Sequence, residues 1–201
     1  PTRRSSDLFA ETAAEPVIQI KNVNTLMPVL GELTRQGYFT ECSNEKNLAK
    51  VQAEMQEALM HVSQLTGLRG RMQLISRTPA VVCDTGHNVG GWQYISKELD
   101  KAMNKYSNLH VVFGIVDDKD IYGVMSLLPK GAIYYFTKAQ TKRALPELSV
   151  QVFGQQFQLQ GNAYPTVKEA YTAAREAAGD NDIIFIGGSN YVVGEFLKTC
   201  I

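Results

Sequence analysis

Apolar positions between Asn22 and about Ser63 recur at helical spacing. Leu26, Val29, Leu30 and Leu33 form one series, and Leu48, Val51, Met55, Leu59 and Val62 a second. The two series predict a helical hairpin. Gly37, in the connecting RQGYFTECSNE, supplies a stop for the first helix, and Ser43 or Asn44 an N-cap for the second. Pro28 lacks the N–H that a helix interior uses, so the first helix is predicted to begin near Asn24 or Thr25, either of which can cap it.

After Gly67 the period changes. Short β-rich runs alternate with amphipathic stretches: MQLISRTP, AVVCDTG, a helix around Trp92, Ile95, Leu99 and Met103, then LHVVFGIV. A helix near Ile121 to Leu128, the run AIYYFTKA, a helix beginning at Pro146, FQLQGNAY, a helix from Thr166 to Ala178, DIIFIGGS and a last helix through Phe196 complete the series. This alternation predicts an α/β fold, a Rossmann-like, mainly parallel sheet with helices on both faces. VVFGIV and DIIFIGG are apolar throughout, as central strands covered on both sides must be. The break between the helical segment and the α/β domain is expected near Leu68, with no internal repeat or low-complexity tract.

Composition narrows the partners. Of 201 residues, 20 are Lys or Arg and 20 are Asp or Glu, so the chain has no general basic field with which to hold a nucleic acid backbone. No apolar run approaches the roughly 18 residues of a membrane span, and the first residues have no signal-peptide pattern. Cys42, Cys83 and Cys200 match neither a zinc ribbon nor a redox pair, which fits a reducing, cytoplasmic setting. The chain opens at Pro1 and its first methionine is Met27, so either an initiator was trimmed or the sequence is a piece of something longer.

In open parallel sheets, ligands bind beyond the carboxyl ends of the strands. Three turns there carry chemistry. Asp84-Thr85-Gly86-His87-Asn88, followed by Gly90 and Gly91, brings a carboxylate, an imidazole and helix-start amides together, although Asp84 or Asn88 acting only as a cap explains the same residues. Gly187-Gly188-Ser189-Asn190 lets a ligand approach the backbone beside a hydroxyl, with ordinary turn chemistry the competing account. Asp117-Asp118-Lys119-Asp120 sets charges at a third strand end, a composition that also suits a solvated first helical turn. His61 and His110 have no partners at metal-ligand spacing, so no metal site is expected. Cys83 reads as a buried thiol. No GxGxxG follows a strand, and none of the 16 glycines precedes a lysine, so neither a dinucleotide fingerprint nor a P-loop is present in this chain.

Six segments taken in order are similar to the folylpolyglutamate synthase and dihydrofolate synthase family of the Mur ligase superfamily. They are IQIKNVNT at 18–25, GLRGRMQLI at 67–75, VVCDTGHN at 81–88, VVFGIVDDKDI at 111–121, RALP at 143–146 and IGGSNYVVGE at 186–195. The resemblance implies an ATP-dependent ligase that activates a folate carboxylate as an acyl phosphate and joins it to the amine of glutamate. It implies that residues 1–68 are the helical end of the central ATPase domain and 69–201 the C-terminal Rossmann-like domain, with the N-terminal ATPase portion, its P-loop and its magnesium lying upstream. On this resemblance Asn22 and Arg71 contact ATP, Asp84 faces the nucleotide or orients its neighbours, His87 lies towards the phosphates and glutamate, and Ser189 helps to hold glutamate. Asp84 and His87 are the implied catalytic pair, and Lys119 is given a peripheral role. Many relatives carry alanine where Gly86 stands, and Pro28 perturbs the helix bearing Asn22. The residues alone leave two other readings open: a standalone nucleotide- or amino-acid-binding module without catalysis, and a Mur-type peptide ligase domain with another acceptor.

Overall fold

The computed structural model describes residues 17–38 and 61–201, with positions 50, 53, 54 and 58 between them. The chain divides into two compact units, with the break between Arg69 and Gly70.

In the first unit, α1 (Val17–Arg35) starts upstream of the expected Asn24 or Thr25 and runs through Pro28. A proline inside a helix removes one hydrogen bond to the carbonyl four residues back, and the turns on either side keep theirs, so the helix continues where the sequence predicted a start. Asn22 therefore sits inside α1 instead of at its beginning, and its side chain lies outside the described residues. Thr34 closes the last turns by donating its hydroxyl to the Leu30 carbonyl, and Gly37 follows at φ +84°, the left-handed geometry of a helix stop. The expected Ser43 or Asn44 cap, and most of the second helix, lie outside the described residues. A short α2 (Val62–Thr66) leads to Gly67.

The second unit holds six strands and five helices among the described residues. They are β1 (Gln73–Arg77), β2 (Ala80–Cys83), α3 (Val89–Met103), β3 (Leu109–Phe113), α4 (Ile121–Met125), β4 (Ile133–Thr137), α5 (Glu147–Gln156), β5 (Gln160–Tyr164), α6 (Val167–Ala177), β6 (Ile183–Gly187) and α7 (Asn190–Thr199). The sheet order is β1-β2-β6-β3-β4-β5. All neighbours are parallel except β1 and β2, which form an antiparallel hairpin through the cis Thr78-Pro79 turn.

The uniformly apolar strands occupy the middle, as their composition requires. Val81, Cys83, Val112, Ile184 and Ile186 face α6 and α7, in one core with Ala170, Ala174, Val192, Val193 and Phe196. On the other face the fully buried Trp92 of α3 meets the edges of Phe113 and Phe185, at 5.6 and 5.9 Å between ring centres. Each such aromatic withdraws enough apolar surface to contribute about 2–3 kcal/mol. The helix expected to reach Leu128 stops at Met125: Leu127 and Leu128 donate to carbonyls only three residues back before Pro129, and the tighter coil ends the α-helical turn.

The chain passes from β2 to β3 across a gap that β6 fills last. The carboxyl ends of β2, β6 and β3 thus lie side by side, and their three turns share one edge.

Candidate functional site

The turn after β2 is organised by Asp84. Its amide continues the ladder to the Ile186 carbonyl at 3.0 Å, which places the side chain at the sheet edge. One carboxylate oxygen accepts the Gly86 amide at 2.7 Å and the other the Met72 amide, twelve residues upstream, at 2.8 Å. Asp84 is 7% exposed. Burial pushes its carboxyl up, while the two amides and the positive charge of Arg71 pull the other way. Both oxygens are thus engaged by backbone, and Asp84 orients its neighbours: it ties the segment carrying the exposed Arg71 to the turn carrying His87. A second tie, from the Thr85 amide to the Gly70 carbonyl at 2.8 Å, runs beside it. Gly70 sits at φ +73°, and a β-carbon there would come within 2.9 Å of Thr85 and Val193 side-chain atoms.

His87 is half-buried. Its Nδ1 lies 3.1 Å from the Thr85 carbonyl oxygen, which only accepts, so that contact places a proton on Nδ1 and leaves Nε2 as the nitrogen able to take one in the neutral ring. Asn88 caps α3 through the Gly91 amide at 2.8 Å. Asn88, not Asp84, is therefore the cap.

Ser189 follows β6 and is 2% exposed. Its hydroxyl oxygen accepts the Val192 amide at 3.1 Å, which makes it the N-cap of α7. The preceding Gly188 has φ +101°, and a β-carbon there would stand 2.4 Å from the Gly114 carbonyl. The β3 and β6 ends approach too closely for any other residue.

The third turn is tied in from both sides. Asp120 caps α4 through the Gly123 amide, whereas Asp118 pairs with Arg143 and has Lys119 Nζ at 3.9 Å. Arg143 also reaches the Tyr191 hydroxyl at 3.2 Å, and the Gln140 amide donates to Glu195 at 2.8 Å. Of the implied site residues, the β2 end brings Arg71, Asp84 and His87 into one linked segment. Ser189 lies on the adjoining strand end, Lys119 on the next, and Asn22 in the other unit.

Two features went unread in the sequence. Arg143 is the hub of the third turn, and its only signal was the RALP segment. His110, considered in the sequence only as a metal ligand, is buried in β3 with Nδ1 at 3.0 Å from the Tyr135 hydroxyl and Nε2 at 3.3 Å from Asp182. Asp182 also accepts from Asn108 and Gly179. A histidine in an otherwise apolar strand was the available signal. Cys83 is buried as expected. Among the described residues no group of three His, Cys, Asp or Glu side chains is arranged to hold a metal ion, and no helix is long and apolar enough to cross a membrane.

Comparison with known proteins bears on this edge. Residues 70–190 match the family described as Mur ligase, glutamate ligase domain. A dihydrofolate synthase/folylpolyglutamate synthase of Buchnera aphidicola is 31% identical over 134 residues, covering 65% of this chain and 31% of the relative. A probable bifunctional folylpolyglutamate synthase/dihydropteroate synthase of Haloferax volcanii is 34% identical over 134 residues, 65% of this chain and 15% of the relative. The chain thus spans about a third or less of the length of these curated relatives. Among solved structures, Escherichia coli FolC in complex with DHPP and ADP superimposes with a TM-score of 0.63 at 23% identity, over 78% of this chain and 39% of that one. The Yersinia pestis bifunctional folylpolyglutamate synthase/dihydrofolate synthase with Mn, AMPPNP and L-glutamate gives 0.59 at 22%, over 72% and 35%. These likenesses establish the fold.

Proposed function

This chain belongs to the Mur ligase family, through its glutamate ligase domain, and on that premise we propose that it is the C-terminal portion of an ATP-dependent folate:glutamate ligase of the folylpolyglutamate synthase and dihydrofolate synthase class. Residues 1–68 would close the central ATPase domain, residues 69–201 would contribute one wall of the reaction site, and the ligase would work in the cytoplasm. The observation that carries the reading is the Asp84 carboxylate joining the Arg71 segment to the His87 turn. It supports a site in which a fixed cation and a proton acceptor act on the same reactants.

In the proposed reaction a folate carboxylate attacks the γ-phosphorus of ATP and ADP leaves. The glutamate amine then attacks the acyl carbon, loses a proton, and phosphate departs. Arg71, exposed and held through Met72, would oppose the negative charge that gathers on the phosphoryl group and the tetrahedral intermediate. His87 Nε2 would take the amine proton, with Nδ1–H kept on the Thr85 carbonyl. Ser189 would act by fixing the start of α7, whose amide end suits a glutamate carboxylate. Asn22, inside α1 and not at its start, would contact ATP from within the helix. ATP and magnesium would be held mainly by the upstream portion, for this chain has no glycine followed by lysine with which to cradle the phosphates.

The test is direct. The purified chain mixed with folate, ATP and glutamate should give no turnover, and joining it to the upstream portion should give activity. In that longer protein Arg71→Ala or His87→Ala should lower kcat/KM by about 10²–10³-fold. Turnover by the chain alone overturns the partition of the site; tight ATP or glutamate binding by the chain alone favours the binding-module reading instead.

A further inference from the structure

β5 closes the sheet on the side away from the entry of the chain. The break at Arg69 and Gly70 leads directly into β1, and β5 stands at the other end of the strand order, five strand spacings or about 24 Å across the sheet. Among the described residues β5 pairs with β4 alone. Helix α5 lies over β4 and β5 and sorts its side chains by direction. Val150 is buried, and a β-carbon on Gly154 would stand 2.6 Å from the Phe136 ring, so these two positions face the sheet. Phe153 turns inward to Tyr122 of α4, at 5.4 Å between ring centres. Gln151 turns the other way and donates to the Gly161 carbonyl of β5 at 2.9 Å. Leu148 and Val152 follow Gln151 round the helix and are 62% and 54% exposed.

The distribution of charge points to what covers this flank. The chain is 20% charged, yet Leu148 to Val167, which spans nearly all of α5 and the whole of β5, holds no Lys, Arg, Asp, Glu or His. Edge strands that must stay single are commonly guarded by charges, above all lysine, and β5 carries none. A side chain near a two-fold axis meets its own copy, so a charged one meets a like charge; a surface without charge escapes that repulsion. A lipid surface would instead call for a basic rim. A segment preceding Gly70 joins this unit at the β1 edge, at the far side of the sheet.

We propose that the open edge of β5 and the Leu148 and Val152 flank of α5 form a surface that takes a second copy of this chain. The two β5 strands run antiparallel about a two-fold axis normal to the sheet, and the two α5 helices meet on one face of it through Val152 and Leu148. That axis reverses the strands of the partner. The two sheet edges that carry Asp84, His87 and Ser189 therefore open in opposite directions, and both stay clear of the contact. One strand edge and one helix flank make a small contact, which places the association in the weak, concentration-dependent class. No step of this inference draws on the ligase reading.

Sedimentation equilibrium of the 201-residue chain from roughly 10 to 500 µM, the span in which small interfaces fill, should show the weight-average mass rising from one chain towards two and no further. One-chain mass throughout overturns the proposal, and so does growth past two, which a closed two-fold contact forbids. Val152→Glu and Val152→Lys should each weaken association at least about tenfold, since each sets like charges across the axis. An equimolar mixture of the two should restore the two-chain mass, because opposite charges then face one another. Both are changes at an exposed position, and an unchanged urea midpoint checks the fold; the pair Leu148→Glu and Leu148→Lys repeats the test if either variant does not fold. Variants that associate like the wild type, or a mixture that stays at one-chain mass, overturn the proposal. If the 201-residue chain pairs but a protein extended upstream of it does not, the upstream segment is what covers the flank and the second copy is excluded.

Discussion

Asp84 and Asp182 are both buried carboxyls, and their neighbours treat them oppositely. For Asp84, burial outweighs two amides and a nearby guanidinium, and its carboxyl is pushed up. For Asp182, burial also opposes the charge, but hydrogen bonds from Gly179, Asn108 and His110 prevail and hold the carboxyl below its ordinary range. A depressed carboxyl contributes stability that is complete above its unfolded value, about pH 4, and is lost as pH falls through the folded one. The Asp182 contribution to the urea midpoint should accordingly stay level above about pH 4 and be lost in acid, whereas the raised Asp84 carboxyl acts in the opposite sense and lowers the midpoint as pH climbs from about 4 through its folded value. Asp182→Asn should lower the midpoint at pH 7 and make the acid limb shallower; an unchanged acid limb would exclude Asp182 as its source. None of this network was legible in sequence, because His110, Tyr135 and Asp182 come from three segments and meet only through the pairing of β3 with β4 and β6. The polar residues of the DTGHN turn were legible as a cluster. Their division of labour was not, since it depends on Met72 reaching Asp84 from twelve residues away.

At the scale of elements, local chemistry was the most readable layer. Thr166 caps α6 by accepting the Glu169 amide at 3.1 Å and donating to the Glu169 carboxylate at 2.9 Å, a reciprocal pair spelled out by the spacing of the two residues. Ser189 makes the same kind of cap at α7, with its hydroxyl buried. Thr166→Ala should cost about 1 kcal/mol, and Ser189→Ala about 1–2 kcal/mol because no water can replace the lost acceptor. Chemical denaturation of the two variants side by side checks the order; equal losses would mean that solvent reaches the Val192 amide. The start of α1 was misread because a cap rule was applied where helical hydrogen bonding on both sides of Pro28 prevails. The end of α4 was misread for the opposite reason, a local tightening ahead of Pro129 that apolar periodicity does not register.

The whole molecule presents two units, of which Gly70–Ile201 contains a complete sheet covered on both faces. Residues 70–201 expressed alone should fold and unfold in one cooperative urea transition, with near-ultraviolet dichroism from the buried Trp92 lost in the same step. A broad or biphasic transition would show that this sheet needs residues 1–69. By itself the sequence determined the class of fold, the order of its elements, the central place of the apolar strands and the polar turns at their ends, since each depends on periodicity or on neighbours a few residues apart. Only the tertiary structure decided that β6 enters between β2 and β3, that Asp84 clasps the segment bearing Arg71, and that Arg143 binds three turns together. Those outcomes depend on which distant segments become adjacent, and strand pairing, not local spacing, sets that adjacency.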